Sequence, residues 1–387
     1  YDRTLNVPNS DEKWTDVNNG TLAQGQAYEI SQPKPATYRF IGELNTADFT
    51  FPVDGMASAT NYQDMNILAN PYTGAMSIDK LDFSGATAAD KVVYLFNTGS
   101  RKDWIANSGP TTNGTTQGQY TKAIPANLAG HVAGMPNQIP SLSSFMVKST
   151  AAGNLKYRYA DLVTATEENR APQRHFHSLA VDVESAKTAD RLWLVQAEGT
   201  TDRYDNGWDG EKIFAPGEAA LYAMQDRSYQ VTTTDAIGET KVGFVPGDGE
   251  QNYKLTFHLD GGDGTQQYTL LDKRTGLTRA IHDGDTYEFT ATKGDAAHRF
   301  TILGNGAKAT ADQRGFQISA DLRRNFTVKN FTDQPAEALV FDAAGKIQAR
   351  FTVEPGSENT GTVVMPGAYV VRVSNKVTTL TQRFVMP

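Results

Sequence analysis

The sequence predicts an all-β protein made of tandem β-sandwich domains that end in a C-terminal Ig-like sandwich. Three observations predict this class. Apolar and polar side chains alternate in short runs of about four to eight residues, which is typical of half-buried strands. The chain carries 34 glycines and 16 prolines, and many of them lie between these runs, where turns are expected. Helical periodicity over about ten residues or more is nearly absent.

The clearest strand candidates occur along the whole length of the chain. They are KVVYLFN (91–97), RLWLVQA (191–197), YKLTFHLD (253–260), RFTIL (299–303) and AYVVRVS (368–374). Alternate side chains of a strand point to the same face of a sheet, so each run can bury one face and expose the other. Helix is expected only around 87–90 and 217–224, for one or two turns each.

The length of the chain predicts more than one domain, because a single hydrophobic core stops growing at roughly 250–300 residues and this chain has 387. A polar, proline-containing stretch over 164–174 separates two strand-rich halves, and a second polar stretch covers 304–315. We therefore predict three domains. They are a β-sandwich over 1–168, a jelly-roll-like β-sandwich over 169–306 and an Ig-like domain over 309–387.

Charge and composition exclude several classes of function. The chain has 36 basic and 44 acidic residues, a net charge of −8, and no block of like charges, so nucleic acid is not an expected partner. Because the chain has no cysteine, disulfides, thiolate catalysis and cysteine-ligated metal sites are excluded. No apolar run reaches the roughly 18 residues of a membrane-spanning helix, so membrane insertion is not expected.

Common catalytic motifs are also missing from the sequence. There is no G-x-S-x-G nucleophile motif, no H-E-x-x-H zinc motif and no phosphate-binding loop. We therefore predict a protein that is not an enzyme. The alternative is a carbohydrate-active enzyme, or an accessory region of one, whose active site is assembled only by folding.

The stretch TDRYDNGWDG (201–210), called the acidic loop below, concentrates three carboxylates, two aromatic rings and two glycines. One hypothesis is a calcium site in which Asp202, Asp205 and Asp209 supply oxygen ligands, although calcium takes six to eight oxygens in total. No other cofactor is expected. Catalysis by these carboxylates is disfavoured, because carboxylates on a solvated loop stay ionised and are poor general acids.

Two further interpretations of the acidic loop remain open. In the first it is a connection between strands, with Asp205 and Asp209 accepting backbone hydrogen bonds while Gly207 and Gly210 adopt positive φ. In the second it is a sugar-binding surface, because the rings of Tyr204 and Trp208 offer flat apolar faces beside hydrogen-bond acceptors.

Residues typical of turns predict the local structure at three other places in the chain. In the sequence NPY (70–72), Asn70 should hydrogen-bond to the turn backbone while Tyr72 buries its ring. In DAAG (342–345), Gly345 should supply the positive φ of a hairpin turn. In the strand that follows PG (366–367), the side chains of Tyr369, Val371 and Val373 should share one face of the sheet.

Sequence landmarks spread over nearly the whole chain resemble those of Bacteroidetes secreted and cell-surface β-sandwich proteins. The first segment contains LAQGQAYEI (22–30), YRFIGELNTADFTF (38–51), MNILANPYTGAMSIDKLDF (65–83), VVYLFNTGSRKDW (92–104) and IPSLSSFMVK (139–148). The second contains DRLWLVQAEGTTDRYDNGWDGEKIF (190–214), YTLLDKRTGLTRAI (268–281) and YEFTATKGDAAHRFTIL (287–303). The third, with VFDAAGKI (340–347), MPGAYVVRV (365–373) and QRFVMP (382–387), is similar to the C-terminal sorting domain of type-IX secretion.

The resemblance implies a location and a kind of function. It implies a protein that is secreted or held at the outer-membrane surface, and that acts without catalysis as an adhesin-like or ligand-binding and ligand-presenting module. The expected partner is a glycan or a protein on a host or bacterial surface. We expect the chain itself to be a monomer.

Overall fold

The computed structural model confirms the predicted all-β class. It describes residues 13–15, 22–28, 37, 39–55, 62–97, 119–163, 176–215, 217–249, 251–262, 264–304, 315–321, 324–330, 332, 334–376 and 379–386. Regular structure in these residues is almost entirely β-strand, with short 3-10 helices over Ile78–Lys80 and Tyr159–Asp161. No helix among the described residues is long and apolar enough to cross a membrane.

The strands are numbered here in chain order. They are β1 (Phe49–Val53), β2 (Met65–Ala69), β3 (Met76–Ser77), β4 (Asp82–Gly85), β5 (Val92–Asn97), β6 (Gln119–Pro125), β7 (Gln138–Ile139), β8 (Ser144–Lys148), β9 (Gly153–Tyr157), β10 (His177–Glu184), β11 (Ala189–Gln196), β12 (Gly210–Glu211), β13 (Ala220–Met224), β14 (Ser228–Thr234), β15 (Thr240–Val245), β16 (Asn252–Asp260), β17 (Tyr268–Asp272), β18 (Leu277–Ile281), β19 (Thr286–Thr290), β20 (His298–Gly304), β21 (Phe316–Ala320), β22 (Asn325–Asn330), β23 (Ala336–Asp342), β24 (Ile347–Val353), β25 (Glu358–Thr362), β26 (Gly367–Ser374) and β27 (Thr379–Met386). All five runs that were predicted as strands are strands.

The two short helices that the sequence predicted are not formed. Residues 87–90 form a turn, and residues 220–224 are β13, which pairs antiparallel with β15. In β13 the helix-favouring alanine, leucine and methionine side chains are outweighed by hydrogen bonds to a strand that lies further along the chain.

The chain divides into two compact units. Unit 1 comprises Tyr1–Leu179, Leu192–Pro216 and Gln225–Asp235, and unit 2 comprises Ala180–Arg191, Gly217–Met224 and Ala236–Pro387. Much of the two polar stretches on which the three-domain prediction rests lies in 164–175 and 305–314, outside the described residues. The domain limits at 168 and 306–309 therefore stay a prediction.

Unit 1 contains an antiparallel sheet in the order β2-β8-β5-β6 and a smaller sheet in the order β1-β9-β4. The predicted NPY turn is confirmed. The Asn70 side-chain amide donates to the carbonyls of Gly74, Ile139 and Pro140 at 2.9–3.1 Å. Its Oδ1 accepts the backbone N–H of Tyr72, whose side chain is buried. A single polar side chain thus satisfies two backbone groups of the turn and two of the segment at Ile139 and Pro140.

The N-terminal part of unit 2 contains β17, β20, β15 and β13 as consecutive antiparallel neighbours, and β16 pairs antiparallel with β19. A buried ion pair joins β17 to β20. Arg299 of β20 donates to both carboxylate oxygens of Asp272 of β17, at 3.2 and 2.9 Å. Tyr287 donates a third hydrogen bond to the same carboxylate. These bonds offset the cost of burying the two charges.

The C-terminal part of unit 2 is a sandwich of two sheets, in the orders β21-β22-β25 and β24-β23-β26-β27. Both sheets contribute to one core, which consists of Phe316, Ile318, Phe326, Val328, Ala336, Ala338, Val340, Val353, Val363, Tyr369, Val371 and Val373. The alternation predicted for β26 is confirmed, and Gly345 has the predicted positive φ of 80°.

Candidate functional site

The acidic loop lies in unit 1 between β11 and β14, and its last residue, Gly210, is the first residue of the short strand β12. The strands on either side of it, β11 and β14, run parallel, with Trp193 opposite Val231. Gly210 of β12 pairs antiparallel with the same residue, Val231. The C-terminal end of the loop is therefore held against β14.

Two of the three predicted carboxylates bind backbone N–H groups. Oδ2 of Asp205 accepts hydrogen bonds from the N–H of Thr201 at 2.6 Å and from its hydroxyl at 3.0 Å. Oδ2 of Asp209 accepts the N–H of Asp205 at 2.7 Å, and its Oδ1 accepts the N–H of Thr233 at 2.7 Å. These side-chain bonds close the loop on itself and join it to β14.

Burial changes the acidity of Asp209. Its side chain is fully buried, and this loss of hydration raises its pKa to about 7. The two backbone N–H groups oppose the shift because they favour the ionised form, whereas the negative charges of Asp205 and Asp226 add to it. Asp209 is therefore a carboxyl group that titrates near neutral pH inside the fold.

The third predicted carboxylate does not join the other two. Within the described part of the chain, the side chain of Asp202 is exposed and makes no hydrogen bond or ion pair. Among the described residues, no three His, Cys, Asp or Glu side chains are grouped closely enough to hold a metal ion. Calcium binding by Asp202, Asp205 and Asp209 stays a prediction.

The middle of the acidic loop contacts two other segments of unit 1. Oδ1 of Asn206 accepts the N–H of Lys91 at 2.7 Å, and its amide donates to the carbonyl of Ala89 at 3.2 Å. The carbonyl of Gly207, which has the predicted positive φ of 89°, accepts the N–H of Asn127 at 3.1 Å. The loop thus contacts segments of unit 1 that are distant in sequence, and Lys91 lies 115 positions away from its partner Asn206.

The prediction that Gly210 adopts positive φ is wrong. Gly210 lies in β12 in an extended conformation, and a Cβ atom there would lie 2.8 Å from the Cβ of Ala123. Glycine is required at this position for close approach to the neighbouring strand and not for a turn.

The ring of Tyr204 is half-buried and has two neighbours. The guanidinium of Arg227 lies 4.6 Å from its centroid, and the Tyr229 ring is stacked beside it at 6.4 Å with an interplanar angle of 6°. Burial and the nearby carboxylate of Asp90 raise the pKa of Tyr204. These contacts take up part of the ring surface that a bound sugar would use, and the sugar-platform hypothesis stays a prediction for this residue.

Trp208, the second ring of that hypothesis, is also half-buried. Its ring packs edge-on against Phe176 at a centroid distance of 5.6 Å, and Phe176 packs against His131 at 6.0 Å. The carbonyl of Trp208 accepts the hydroxyl of Thr233 at 2.8 Å. Trp208 and Tyr204 therefore belong to two different aromatic groups within the described residues, one with Phe176 and one with Tyr229.

Sequence reasoning missed a group of charges beside the acidic loop. Glu211 accepts hydrogen bonds from the ammonium of Lys148 and from the guanidinium of Arg227, each at 2.6 Å. Burial opposes the ionisation of Glu211, but these two cations hold its pKa below its usual range. No spacing rule finds such a group, because Lys148 is separated from Glu211 by 63 positions.

In the described structure the acidic loop therefore stabilises unit 1 by connecting several of its segments. Asp205 and the buried Asp209 already accept hydrogen bonds, and Glu211 is neutralised by two cations, so these groups are not arranged as a solvent-facing acid and base. The chemistry that this geometry supports best is structural: charged and amide side chains satisfy backbone groups where several segments of the chain meet.

Comparison with known proteins gives three findings. A family model described as "Domain of unknown function (DUF8693)" matches residues 1–303. The chain is 31% identical over 386 residues to "Minor fimbrium subunit Mfa5" of Porphyromonas gingivalis, a match that covers 94% of this chain and 31% of that protein. A solved structure titled "Biofilm associated protein - BSP domain" aligns with 89% of this chain and 67% of its own, at 8% identity and a TM-score of 0.16, which is too low to support an argument. The chain spans about a third of the length of the fimbrial relative.

Proposed function

This chain belongs to the DUF8693 family, and from this premise and its similarity to a fimbrial subunit we propose that it is a non-catalytic, adhesin-like protein of the Bacteroidetes cell surface. In this proposal it acts by being displayed at the surface and by contacting other molecules there. Its expected partners are glycans or proteins of host or bacterial surfaces, and the purified chain is expected to be a monomer.

The observation that carries the proposal is the extent of the similarity. The 31% identity runs over 94% of the chain and is not confined to one motif. Identity of this extent supports a shared fold, and a fimbrial subunit is a structural protein by its name. The chain spans about a third of that relative. The role of the whole fimbrial relative is therefore proposed, and not established, for this chain.

The geometry of the candidate site is consistent with a structural role. A surface protein without disulfides needs other means to hold its loops, and this chain has no cysteine. In unit 1 the acidic loop is held by buried carboxylate-to-backbone bonds, and Asn70 serves the same purpose in the NPY turn. Such bonds fix loops without a covalent link.

The proposal is tested by locating the protein on the bacterium that encodes it. We expect an epitope-tagged chain to be labelled by antibody on intact cells and to remain with the sheared surface appendages after centrifugation. An untagged strain is the control for antibody specificity. A tag that is detected only after the cells are opened contradicts the proposal.

The alternative of a carbohydrate-active enzyme has its own test. The purified chain is incubated with a panel of surface polysaccharides, and the release of reducing ends is measured. We expect no release above that of a heat-denatured sample. Reproducible release of reducing ends would favour the enzyme over the adhesin.

A finer part of the proposal concerns export. We propose that residues 309–387 act as a sorting domain of the type-IX kind, which is supported by the landmarks in this segment and by the separate core of its sandwich. We expect a fluorescent reporter fused to this segment to reach the cell surface in a host with type-IX secretion. The same fusion should stay inside a host that lacks the pathway, and the reporter alone should stay inside both.

A further inference from the structure

Unit 2 contains an open cleft lined by residues outside the acidic loop, and the inference drawn for it rests on the function proposed above, whose expected partners include glycans. Its volume is about 490 Å³, and its polar lining comes from Glu184, Asn252, Lys254, Glu288 and Thr290. Pockets that hold small ligands have volumes of roughly 300–1,000 Å³. The cleft is thus large enough for one or two sugar rings.

Strand register places these polar groups on a single face. In the antiparallel pair of β16 and β19, Asn252 lies opposite Thr290 and Lys254 lies opposite Glu288. Residues directly opposite each other in such a pair project from the same face of the sheet. The side chains of Asn252, Lys254, Glu288 and Thr290 therefore form two adjacent rows above the strands.

The floor of the cleft is rigid because aromatic rings pack beneath it. Tyr253 lies opposite Phe289 between the two polar rows, and both side chains are buried, at 3% and 7% exposure. Their rings lie 5.5 Å apart, and the ring of Phe244 contacts them at 4.8 and 5.1 Å. A site on strands that are packed in this way is held in place before a ligand arrives.

Three of the polar side chains are open to a ligand. Within the described part of the chain, the carboxylate of Glu288, the amide of Asn252 and the hydroxyl of Thr290 form no hydrogen bond. All three residues are exposed. Lys254 differs, because its ammonium pairs with the carboxylate of Glu184 at 3.1 Å.

We propose that this cleft binds a neutral glycan, with Glu288, Asn252 and Thr290 as its hydrogen-bonding groups. A carboxylate accepts from two hydroxyls, and an amide both donates and accepts, so the pair matches adjacent hydroxyls of a sugar ring. An anionic ligand is disfavoured, because the lining carries two carboxylates and only one ammonium, which is already paired. Although β19 is the last strand of its sheet, the polar groups of the cleft are side chains on the sheet face and not the backbone N–H and C=O groups to which an added peptide strand binds.

The proposal is tested with the whole chain and a defined panel of sugars. Saturation-transfer NMR is recorded with glucose, galactose, mannose, fucose, N-acetylglucosamine and lactose, and any sugar that binds is titrated. We expect at least one to bind. We expect Glu288→Ala and Asn252→Ala each to weaken its binding roughly tenfold or more, because each removes hydrogen bonds to the ligand. Glu288→Gln, which keeps the shape and one acceptor, should bind with an intermediate affinity.

Two controls make the result specific. Glu358→Ala removes an exposed carboxylate of β25 that pairs with Lys329, and it should leave sugar binding unchanged. Trp208→Ala removes one of the two aromatic rings of the acidic loop and so distinguishes the cleft from the sugar-binding surface considered for that loop; binding at the cleft should survive it. Each variant is melted first to confirm that it is folded, and the cleft variants should keep the wild-type melting temperature because their altered side chains are exposed.

Three outcomes would overturn the proposal. The first is that no sugar of the panel binds. The second is that binding survives Glu288→Ala and Asn252→Ala, or is lost in Trp208→Ala, which would place the sugar at the acidic loop. The third is that only a cationic probe such as tetralysine binds, and that its binding is lost between roughly 0.05 and 0.5 M salt, which would make the cleft a site for basic peptides. None of these outcomes bears on whether the protein is displayed at the cell surface.

Discussion

The backbone N–H of Thr233 donates a hydrogen bond of 2.7 Å to Oδ1 of Asp209, although the two residues lie 24 positions apart in the chain. The other carboxylate oxygen of Asp209 accepts the N–H of Asp205. Through these two bonds a fully buried side chain connects the acidic loop to β14.

Replacing Asp209 should destabilise the fold. Asp209→Ala leaves the buried N–H of Thr233 and the partly buried N–H of Asp205 without an acceptor, and a buried group left in this way costs roughly 1–3 kcal/mol. We expect a loss of about 2–4 kcal/mol in the free energy of unfolding, measured by urea denaturation. Asp202→Ala is the matched control in the same loop, and it should change stability by less than about 0.5 kcal/mol because its side chain is exposed. Equal losses of unfolding free energy in the two variants would show that the hydrogen bonds of Asp209 do not stabilise the fold.

Stability should also depend on pH through Asp209. Its pKa is raised in the folded state to about 7 from a reference value of 3.8. The folded state therefore binds the proton more tightly, so the stabilisation that protonation provides is complete below about pH 4 and is lost as the pH rises towards 7. We expect the unfolding free energy of the wild type to fall, relative to that of Asp209→Asn, between about pH 4 and 7.

Comparing the two proteins at each pH isolates this residue, because the other titrating groups are present in both. Asp205 and Asp226 are the charged neighbours that raise the pKa of Asp209. Removing the second of these charges with Asp226→Asn should shift the pH midpoint downwards. A wild-type-minus-variant difference that does not change with pH would show that Asp209 does not titrate in this range.

Calcium should leave the stability of the protein unchanged. In the described structure Asp205 and Asp209 already accept backbone N–H groups, and no three acidic or His side chains among the described residues are grouped closely enough to hold a metal ion. We expect the melting temperature to be the same in millimolar calcium and in a chelator. A ligand that binds only the folded state stabilises it by RT ln(1 + [L]/Kd). A calcium-dependent rise of several degrees that Asp209→Ala abolishes would instead establish the calcium site.

The ion pair of Lys148 and Glu211 should stabilise the protein more than an exposed pair does. The side chains of the first pair are 16% and 21% exposed, whereas those of Lys329 and Glu358 are 48% and 57% exposed. Double-mutant cycles with Lys→Met and Glu→Gln should give a coupling energy of about 1–3 kcal/mol for the first pair and below about 1 kcal/mol for the second. Similar coupling energies would mean that water screens both pairs equally.

The C-terminal sandwich should fold without the rest of the chain. Its described residues have a core of their own that draws on both of its sheets. We expect residues 309–387, expressed alone, to melt cooperatively and to resist protease. A fragment that melts gradually and is digested quickly would show that its core needs the remainder of unit 2.

Local features were predictable because they depend on neighbouring residues. Alternation along AYVVRVS correctly predicted which side chains of β26 are buried, since the direction of a side chain in a strand has a period of two. The role of Asn70 in its turn and the positive φ of Gly345 were predictable for the same reason, because turn chemistry is set within about four residues. The all-β class follows from many such local signals that agree.

Only the tertiary structure decided which distant residues meet. It pairs Asp209 with Thr233, gives Glu211 two cations, and aligns Asn252 with Thr290 and Lys254 with Glu288. It also made a strand of residues 220–224 and placed Gly210 against Ala123, both against expectation. The physical reason is that strand register and burial depend on partners far away in the chain. A carboxylate on a glycine-rich loop has no local signal that distinguishes a solvated side chain from one that is fully buried and bonded to a neighbouring strand.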